Sequence, residues 1–414
     1  MGSSIHPKTI QEVKEKADIV DVISEHVVLK KRGKEYVGIC PFHDDSKPSM
    51  TVSPEKQFYY CFSCGAGGNS IKFLMEFTRN NFSDVVLSLA RKNDIKVETV
   101  DPHQQEKYKK HLSKRDELFK ILKETKNWFK IQLNSNLGNS AYNYLANERK
   151  LSKNIIEEFE LGFAPDSWTG LYEYLLKVKG FSYEAILNAG LIISKDNKNK
   201  VFDRFRNRLM VPIYDSQSRV VAFTGRTLDG SNPKYLNSPE TDVFEKGKIL
   251  YGFDKASSNI RKKDLAIVVE GNFDVISLHA KGINNCVAAQ GSSLSKYQIS
   301  QLCRCTDNKN IVINFDSDNA GISATKRIIA EVESLSLNHQ INLKILQLRG
   351  FKDPDEFLNQ NSAVDYFNLI DNAPFWIDWE LEQIFLDKDL SKVENFQSVV
   401  TALVKFLSKL PQSV

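Results

Sequence analysis

Cys40 and His43 form one pair of potential metal ligands and Cys61 and Cys64 another, each pair spaced by two residues, with seventeen residues between the pairs. Three thiolates and an imidazole match the preferences of zinc, and two short loops can bring four such ligands to one ion. With every position filled by protein, none is left open for chemistry, so one structural zinc ion is expected. A segment of this kind folds with its metal.

A second group of residues suits harder cations. Glu270-Gly271 ends the apolar run Leu265–Glu270, with Asp274 one helical turn later. Asp316-Ser317-Asp318 follows the run Ile311–Phe315, and Asp353-Pro354-Asp355 follows Leu343–Leu348. An aspartate capping a helix is common. Acids at several successive strand ends repel one another, and bound divalent ions relieve that repulsion. Oxygen ligands suit magnesium or manganese.

Basic residues lie between the two acidic and thiol-rich regions. Arg149 sits in Y-L-A-N-E-R, and Arg204, Arg206 and Arg208 in D-R-F-R-N-R-L-M-V-P-I. Arg226 follows Gly225, Lys234 lies in N-P-K-Y-L-N-S-P-E-T, and Lys246 precedes Gly247. Flanking turns and apolar strands that lead toward the acids, they suit phosphate positioning. Tyr235 is a candidate for stacking on bases, whereas Phe244 reads as core.

These groups need rigid elements to hold them. A helix is expected over Thr9–His26, and strands over Glu35–Cys40 and Gln57–Phe62 flank the thiols. Helices near Asn69–Thr78 and Phe82–Lys92 follow. A polar stretch near 101–115 reads as a linker, a helix runs through Trp128–Leu145, and L-G-F-A-P at 161–165 punctuates the chain. R-L-M-V-P-I-Y-D and R-V-V-A-F-T-G-R-T form a strand pair about a Ser-Gln-Ser turn. From Leu265 onward, short apolar runs alternate with helices near 273–281, 295–303 and 322–334, the pattern of a parallel sheet. In such sheets chemistry collects at the carboxyl ends of the strands.

Composition sets outer bounds. At 414 residues about three domains are expected, and 41% hydrophobic residues exclude a disordered chain. A net charge of +4 does not by itself imply nucleic-acid binding. Glu106 to Lys130 carries nine Lys or Arg against four acids, a run that a solvated helix also explains. Cys286, Cys303 and Cys305 complete the six cysteines, too few for a disulfide scaffold. Without a run of about eighteen apolar residues or a signal-peptide core, a soluble, cytoplasmic protein that avoids the membrane is expected.

In this order the three groups resemble the bacterial replicative primase family, over nearly the whole chain. C-P-F-H…C-F-S-C-G-A-G-G resembles the family's zinc ribbon, and Tyr144–Arg149 and F-x-x-R-L-M-V-P-I its polymerase entry motifs. K-Y-L-N-S-P-E-T-D-V-F-E-K-G from Lys234 to Gly247 is highly specific to it. V-V-E-G-N-F-D and F-D-S-D-N-A-G resemble the toprim motifs. The resemblance implies a multidomain α+β chain: a zinc-binding domain (1–100), a linker (101–115), a mixed α/β N-terminal polymerase subdomain (116–258), a toprim α/β subdomain with a parallel sheet (259–350) and C-terminal helices (351–414).

It further implies a DNA-directed RNA polymerase that makes short RNA primers. Glu270, Asp316 and Asp318 would be the central magnesium ligands, holding two or more ions with Asp274, Asp353 and Asp355 assisting. Arg149, Arg208, Arg226, Lys234 and Lys246 would bind nucleic acid or nucleotide. The implied partners are single-stranded DNA template, ribonucleoside triphosphates, the RNA primer and, in a full-length protein, a replicative helicase. Family members continue into a helicase-binding domain, so an ending at Val414 implies a fragment or a divergent ending. The chain departs from the family in Ala222-Phe223-Thr224-Gly225, with fewer glycines before Arg226, and in Ser317 where glycine is frequent.

Three rivals belong to other classes. A topoisomerase shares the toprim acids but needs a DNA-attacking tyrosine and a longer arch. A toprim nuclease usually works with an ATPase, and no G-x-x-x-x-G-K-[ST] loop is present. A non-catalytic zinc-dependent DNA-binding protein would leave the acidic residues without a purpose.

Overall fold

The computed structural model describes residues 5–43, 45, 47–78, 82–98, 102–195, 200–290, 294–337, 341–386 and 388–408. The single helix expected over Thr9–His26 is two, Pro7–Lys16 and Ile19–Ser24. Asp18 makes the break: its carboxylate accepts from the N–H groups of Val20 and Asp21 and caps the second helix. An antiparallel sheet of five strands follows, in chain order: β1 (Lys30–Arg32), β2 (Glu35–Gly38), β3 (Met50–Ser53), β4 (Phe58–Cys61) and β5 (Gly67–Gly68). Helices Ser70–Thr78 and Phe82–Lys92 cover it, burying Phe73, Val86 and Leu89 against Val52 and Tyr59.

The stretch expected as a linker over 101–115 is helical from Pro102 onward, the first half of a 32-residue helix, Pro102–Leu133. Proline opens that helix, where its missing N–H costs nothing. No glycine or further proline interrupts the Lys-, Glu- and Gln-rich sequence behind it. The helix expected through Trp128–Leu145 therefore stops at Leu133, and shorter turns over 136–148 follow.

L-G-F-A-P contains a strand, β6 (Gly162–Ala164), which pairs with the expected strand pair. Gly162 permits this: a Cβ there would stand 2.5 Å from Phe129 Cβ on the long helix. A hairpin of β7 (Ile192–Lys195) and β8 (Lys200–Asp203) precedes the pair itself, β9 (Arg208–Tyr214) and β10 (Val220–Thr227). With β11 (Tyr235–Asn237), the second sheet has the order β11-β10-β9-β6.

The third sheet is parallel, as the alternation of runs and helices requires. It comprises β12 (Ala266–Val269), β13 (Cys286–Ala288), β14 (Asn310–Asn314) and β15 (Asn342–Ile345) in the order β13-β12-β14-β15. Register places Val269 opposite both Ala288 and Asn314, so the carboxyl ends of the three strands lie level. Helices of 354–407 follow. Among the described residues no helix is long and apolar enough to cross a membrane.

The ribbon rests at the opposite, amino-terminal edge of the parallel sheet. Lys309, just before β14, donates to the Asp45 carbonyl at 2.7 Å, and Arg261 to the Glu25 carbonyl at 2.7 Å. Arg304 lies over the Phe77 ring at 3.8 Å.

Candidate functional site

The four thiol and imidazole residues converge. One ligand atom from each of Cys40, His43, Cys61 and Cys64 lies within 4.8 Å of all the others. Cys40 and Cys64 sulfurs stand 3.8 Å apart, as do the Cys61 sulfur and His43 Nδ1. Tetrahedral zinc with Zn–S bonds of about 2.3 Å sets sulfurs about 3.8 Å apart, so donor set and spacing fit that ion. Burial and the neighbouring thiols push the Cys40 thiol up, a cost that a bound dication removes.

Sequence reasoning missed the residues behind the ligands. Asp45 is buried, accepts from the Cys40 N–H at 3.0 Å and from the Ser49 hydroxyl, and faces His43 Nε2 at 3.9 Å. A carboxylate against the far nitrogen of a metal-binding imidazole fixes the orientation of the ring. Ser49 Oγ also meets the Cys61 sulfur at 3.1 Å. D-x-x-x-S from Asp45 to Ser49, one residue beyond C-P-F-H, was the available signal.

The strand-end acids gather at the level edge of the parallel sheet. Gly321 is what lets Asp316-Ser317-Asp318 turn into the helix Asn319–Leu337: a Cβ there would stand 2.1 Å from the Asp316 carbonyl oxygen. Ser317 N–H donates to the Lys352 carbonyl at 3.1 Å, tying this loop to the one carrying Asp353. Glu270 Oε2 is buried without a hydrogen-bond partner. Burial, then Asp318, pushes the Glu270 carboxyl up. Asp316 is pushed up to about 6 by burial, then by Glu270 and Asp353. Asp274 is pushed up to about 8 by burial, then by Asp353, Asp316 and Asp355, against the Gly271 N–H that it accepts at 2.9 Å.

Mutually repelling carboxylates and an orphaned buried oxygen fit a divalent cation. Their oxygens are less tightly grouped than the thiols. Among the described residues, the zinc-type tetrad is the only set of three or more such ligands all within 4.8 Å of one another.

Asp318 and the assisting Asp353 and Asp355 are engaged locally. Asp318 accepts from Gly321 N–H at 2.9 Å, as the capping alternative anticipates, and Asp353 from Glu356 N–H at 2.8 Å. Asp355, expected to assist at metal, is paired with the Arg149 guanidinium and accepts from Ser277 Oγ at 2.7 Å.

The basic residues divide. Arg149 Nε donates to Tyr144 Oη at 2.7 Å, and its guanidinium lies 5.2 Å from the Phe273 ring. Arg226 donates to Tyr235 Oη at 2.8 Å and stacks on Tyr144 and Phe273 at 5.0 and 5.5 Å, with its Nε buried and unpartnered. Lys234 is pulled down by burial and then by Arg226, Lys352 and Arg149, while Asp316 pushes the other way. These cations therefore share one electrostatic neighbourhood with the acids, and Lys352 is a member that sequence reasoning missed.

Arg208, expected to bind nucleic acid, is instead 7% exposed and donates to the Gly225 and Lys234 carbonyls at 3.2 and 3.5 Å. It clamps β10 to β11. The Lys246 main chain is held by Glu240 and Gln298. Tyr235 is 41% exposed, and Phe244 is core.

A pH-dependent stability follows. A carboxyl with a raised folded-state pKa stabilises the fold below its unfolded value of about 4 and loses that contribution as pH rises through the folded value. The loss reaches about pH 6 for Asp316 and about pH 8 for Asp274. His26 and His279, each lowered to about 4 chiefly by burial, run the other way and finish by about pH 6.5. Without divalent ions, melting temperature is expected to fall between about pH 6.5 and 8, and magnesium to restore more at pH 8 than at pH 5. Magnesium stabilisation of equal size at both pH values would contradict the clustering of these acids.

Comparison with known proteins agrees region by region. Residues 5–105 match the CHC2 zinc finger family, 128–257 the N-terminal domain of the DNA primase catalytic core, and 267–358 a Toprim-like family. The chain is 50% identical to a DNA primase of Synechococcus elongatus over 409 residues, covering 99% of this chain and 59% of that one. It is 34% identical to a DNA primase of Halalkalibacterium halodurans, covering all of this chain and 67% of that one. The chain thus spans about three fifths to two thirds of the length of these relatives.

Among solved structures, the zinc-binding and RNA polymerase domains of the Aquifex aeolicus primase align over all of this chain and 94% of theirs, at 31% identity and a TM-score of 0.60. A primase catalytic domain bound to single-stranded DNA aligns over 72% of this chain and 95% of its own, at 30% identity and a TM-score of 0.61. With a zinc-finger, a primase-core and a Toprim-like region matched in that order, and primases of this likeness among its relatives, the chain belongs to the bacterial DNA primase family.

Proposed function

We propose that this chain is a DNA-directed RNA polymerase, a primase that joins ribonucleoside triphosphates into a short RNA primer on single-stranded DNA. One observation carries the reading: the Arg149 and Arg226 guanidinium groups lie over the ring of Phe273, three residues after Glu270, at the carboxyl edge of the parallel sheet. Such an edge, with cations beside carboxylates, is suited to phosphate groups accompanied by divalent metal.

Glu270, Asp316 and Asp318 would hold magnesium or manganese, and Asp274 would support them. When bound, these ions lower the pKa of the primer 3′-hydroxyl and neutralise charge on the attacked phosphate and the departing pyrophosphate. Arg226 and Lys234 orient the triphosphate, Arg149 is held ready by Asp355 and Tyr144, and no side-chain nucleophile is needed. The Cys40, His43, Cys61 and Cys64 site would hold structural zinc.

Template binding has two exposed aromatic sites as candidates, one on the ribbon and one at Trp168. Phe58, Tyr60 and Phe62 alternate along β4 and just beyond it, at 44, 41 and 76% exposure, which places them on one face of the ribbon. Trp168, 63% exposed, is covered by Arg206 at 4.5 Å. Stacking of a base on such a ring is worth about 1–3 kcal/mol, so Phe62→Ala is expected to weaken binding of single-stranded DNA about tenfold. Fluorescence anisotropy with a labelled oligonucleotide measures it, and unchanged affinity removes the ribbon face from the template path.

The reading itself is tested by incubating the chain with a single-stranded template, labelled ribonucleotides and magnesium. A ladder of short RNAs that vanishes with chelator is expected. Shortening of the DNA without RNA synthesis would make the chain a nuclease instead.

A further inference from the structure

We infer that Thr224 and Asn272 form a positioning bridge that sets the basic strand β10 against the acid loop after β12. The inference rests on the polymerase reading above and adds a residue pair to it. Thr224 is 4% exposed and lies two residues before Arg226 on β10, so both side chains point from the same face of the strand. Asn272 opens the helix Asn272–Ala280, two residues after Glu270.

Asn272 Nδ2 donates to Thr224 Oγ1 at 3.1 Å, and that hydroxyl donates onward to Asn237 Oδ1 at 2.8 Å on β11. On its other side Asn272 Oδ1 accepts from Gln290 Nε2 at 3.4 Å, just beyond β13. A polar chain thus runs from the antiparallel sheet, across the subdomain boundary, to two strand ends of the parallel sheet.

Its location gives the chain leverage. Phe273, next to Asn272, is the ring on which Arg149 and Arg226 both lie, at 5.2 and 5.5 Å. Rotation of the loop at Asn272 would move that ring and unseat Arg226 relative to Glu270. The Arg149–Asp355 pair ties the polymerase subdomain to the helix Pro354–Gln360, beyond β15, by a separate route. A hydroxyl that both donates and accepts fixes direction as well as distance, which apolar packing at the boundary does not. Reacting groups misplaced by about 1 Å lose up to about a hundredfold in rate; the Gln298 bonds to the Lys246 and Ile249 carbonyls persist when this bridge is cut, so part of that loss is at stake here.

The test uses the whole chain, with one near-isosteric substitution, Thr224→Val, and one that removes the amide, Asn272→Ala. Thr224→Val and Asn272→Ala are each expected to lower kcat for the first phosphodiester bond about tenfold, with KM for nucleotide and zinc content within about twofold of the parent. The double variant is expected to be no worse than the weaker single one, because both break the same bridge. Thr224→Ser, which keeps the hydroxyl, should restore kcat to within about twofold. Multiplying effects, or kcat unchanged in both single variants, would overturn the bridge.

Amide hydrogen exchange supplies a readout independent of activity. Thr224→Val should speed exchange in the first turn of helix Asn272–Ala280 about fivefold while leaving the ribbon unchanged. Unchanged exchange there overturns the bridge even if the chain synthesises no RNA, whereas an inactive parent with the expected exchange change overturns only the polymerase reading.

Discussion

Asp316→Ala is expected to abolish primer synthesis, by about a thousandfold or more, without loss of folding. The magnitude follows from removing a ligand of ions that neutralise charge in the transition state, a loss of several kcal/mol. The retained fold follows from the environment of Asp316. Burial beside Glu270 and Asp353 makes its charge unfavourable in the folded chain, so deletion leaves stability equal or higher. Glu270→Gln should behave alike, because its buried Oε2 has no hydrogen-bond partner to lose. Asp355→Asn should differ in kind. It releases Arg149 and Ser277, so synthesis falls while the magnesium concentration for half-maximal rate stays put. Single-turnover dinucleotide synthesis across a magnesium titration separates the cases. An active Asp316→Ala variant removes the residue from the metal site.

The second large effect concerns the ribbon. Cys61 is fully buried at the end of β4, and its sulfur accepts from Cys64 N–H at 3.5 Å. Cys61→Ser, or removal of metal by a strong chelator, is expected to unfold residues 5–78. Structural zinc contributes about 10 kcal/mol or more in segments of this size, beyond what a small core can replace. Limited proteolysis alongside release of zinc to a chromogenic chelator measures this. The polymerase and toprim sheets, whose cores are separate from that of the ribbon, should stay protected. A ribbon that resists protease after its metal is gone would show the tetrad to be dispensable.

How much of this was legible depended on the range of the interactions. The zinc tetrad and its flanking strands were readable because each ligand pair lies within four residues and tolerates little variation. The parallel sheet was readable because strands buried on both faces leave uninterrupted apolar runs such as Ala266–Val269. Placement at successive strand ends pointed the acids to divalent metal rather than capping alone, and placement beside turns pointed the basic residues to phosphate; resemblance to primases then assigned the individual roles.

What escaped was set by distant partners. Arg208 looks like its phosphate-binding neighbours in sequence, and only the Gly225 and Lys234 carbonyls, brought alongside by strand pairing, turn it inward. Asp355 meets Arg149 across 206 positions. Strand β6 is three residues long and exists because Gly162 lets the sheet approach the long helix. The polar stretch after residue 101 lacks the apolar periodicity that marks a helix, yet good helix formers and the absence of breakers sufficed.

The most direct measurement is anomalous scattering at the manganese edge from crystals of the chain soaked in manganese. Peaks within about 2.5 Å of carboxylate oxygens of Glu270, Asp316 and Asp318 are expected. Crystals in which manganese binds elsewhere, with those three side chains turned apart, would contradict metal-assisted nucleotidyl transfer at the carboxyl edge of the parallel sheet.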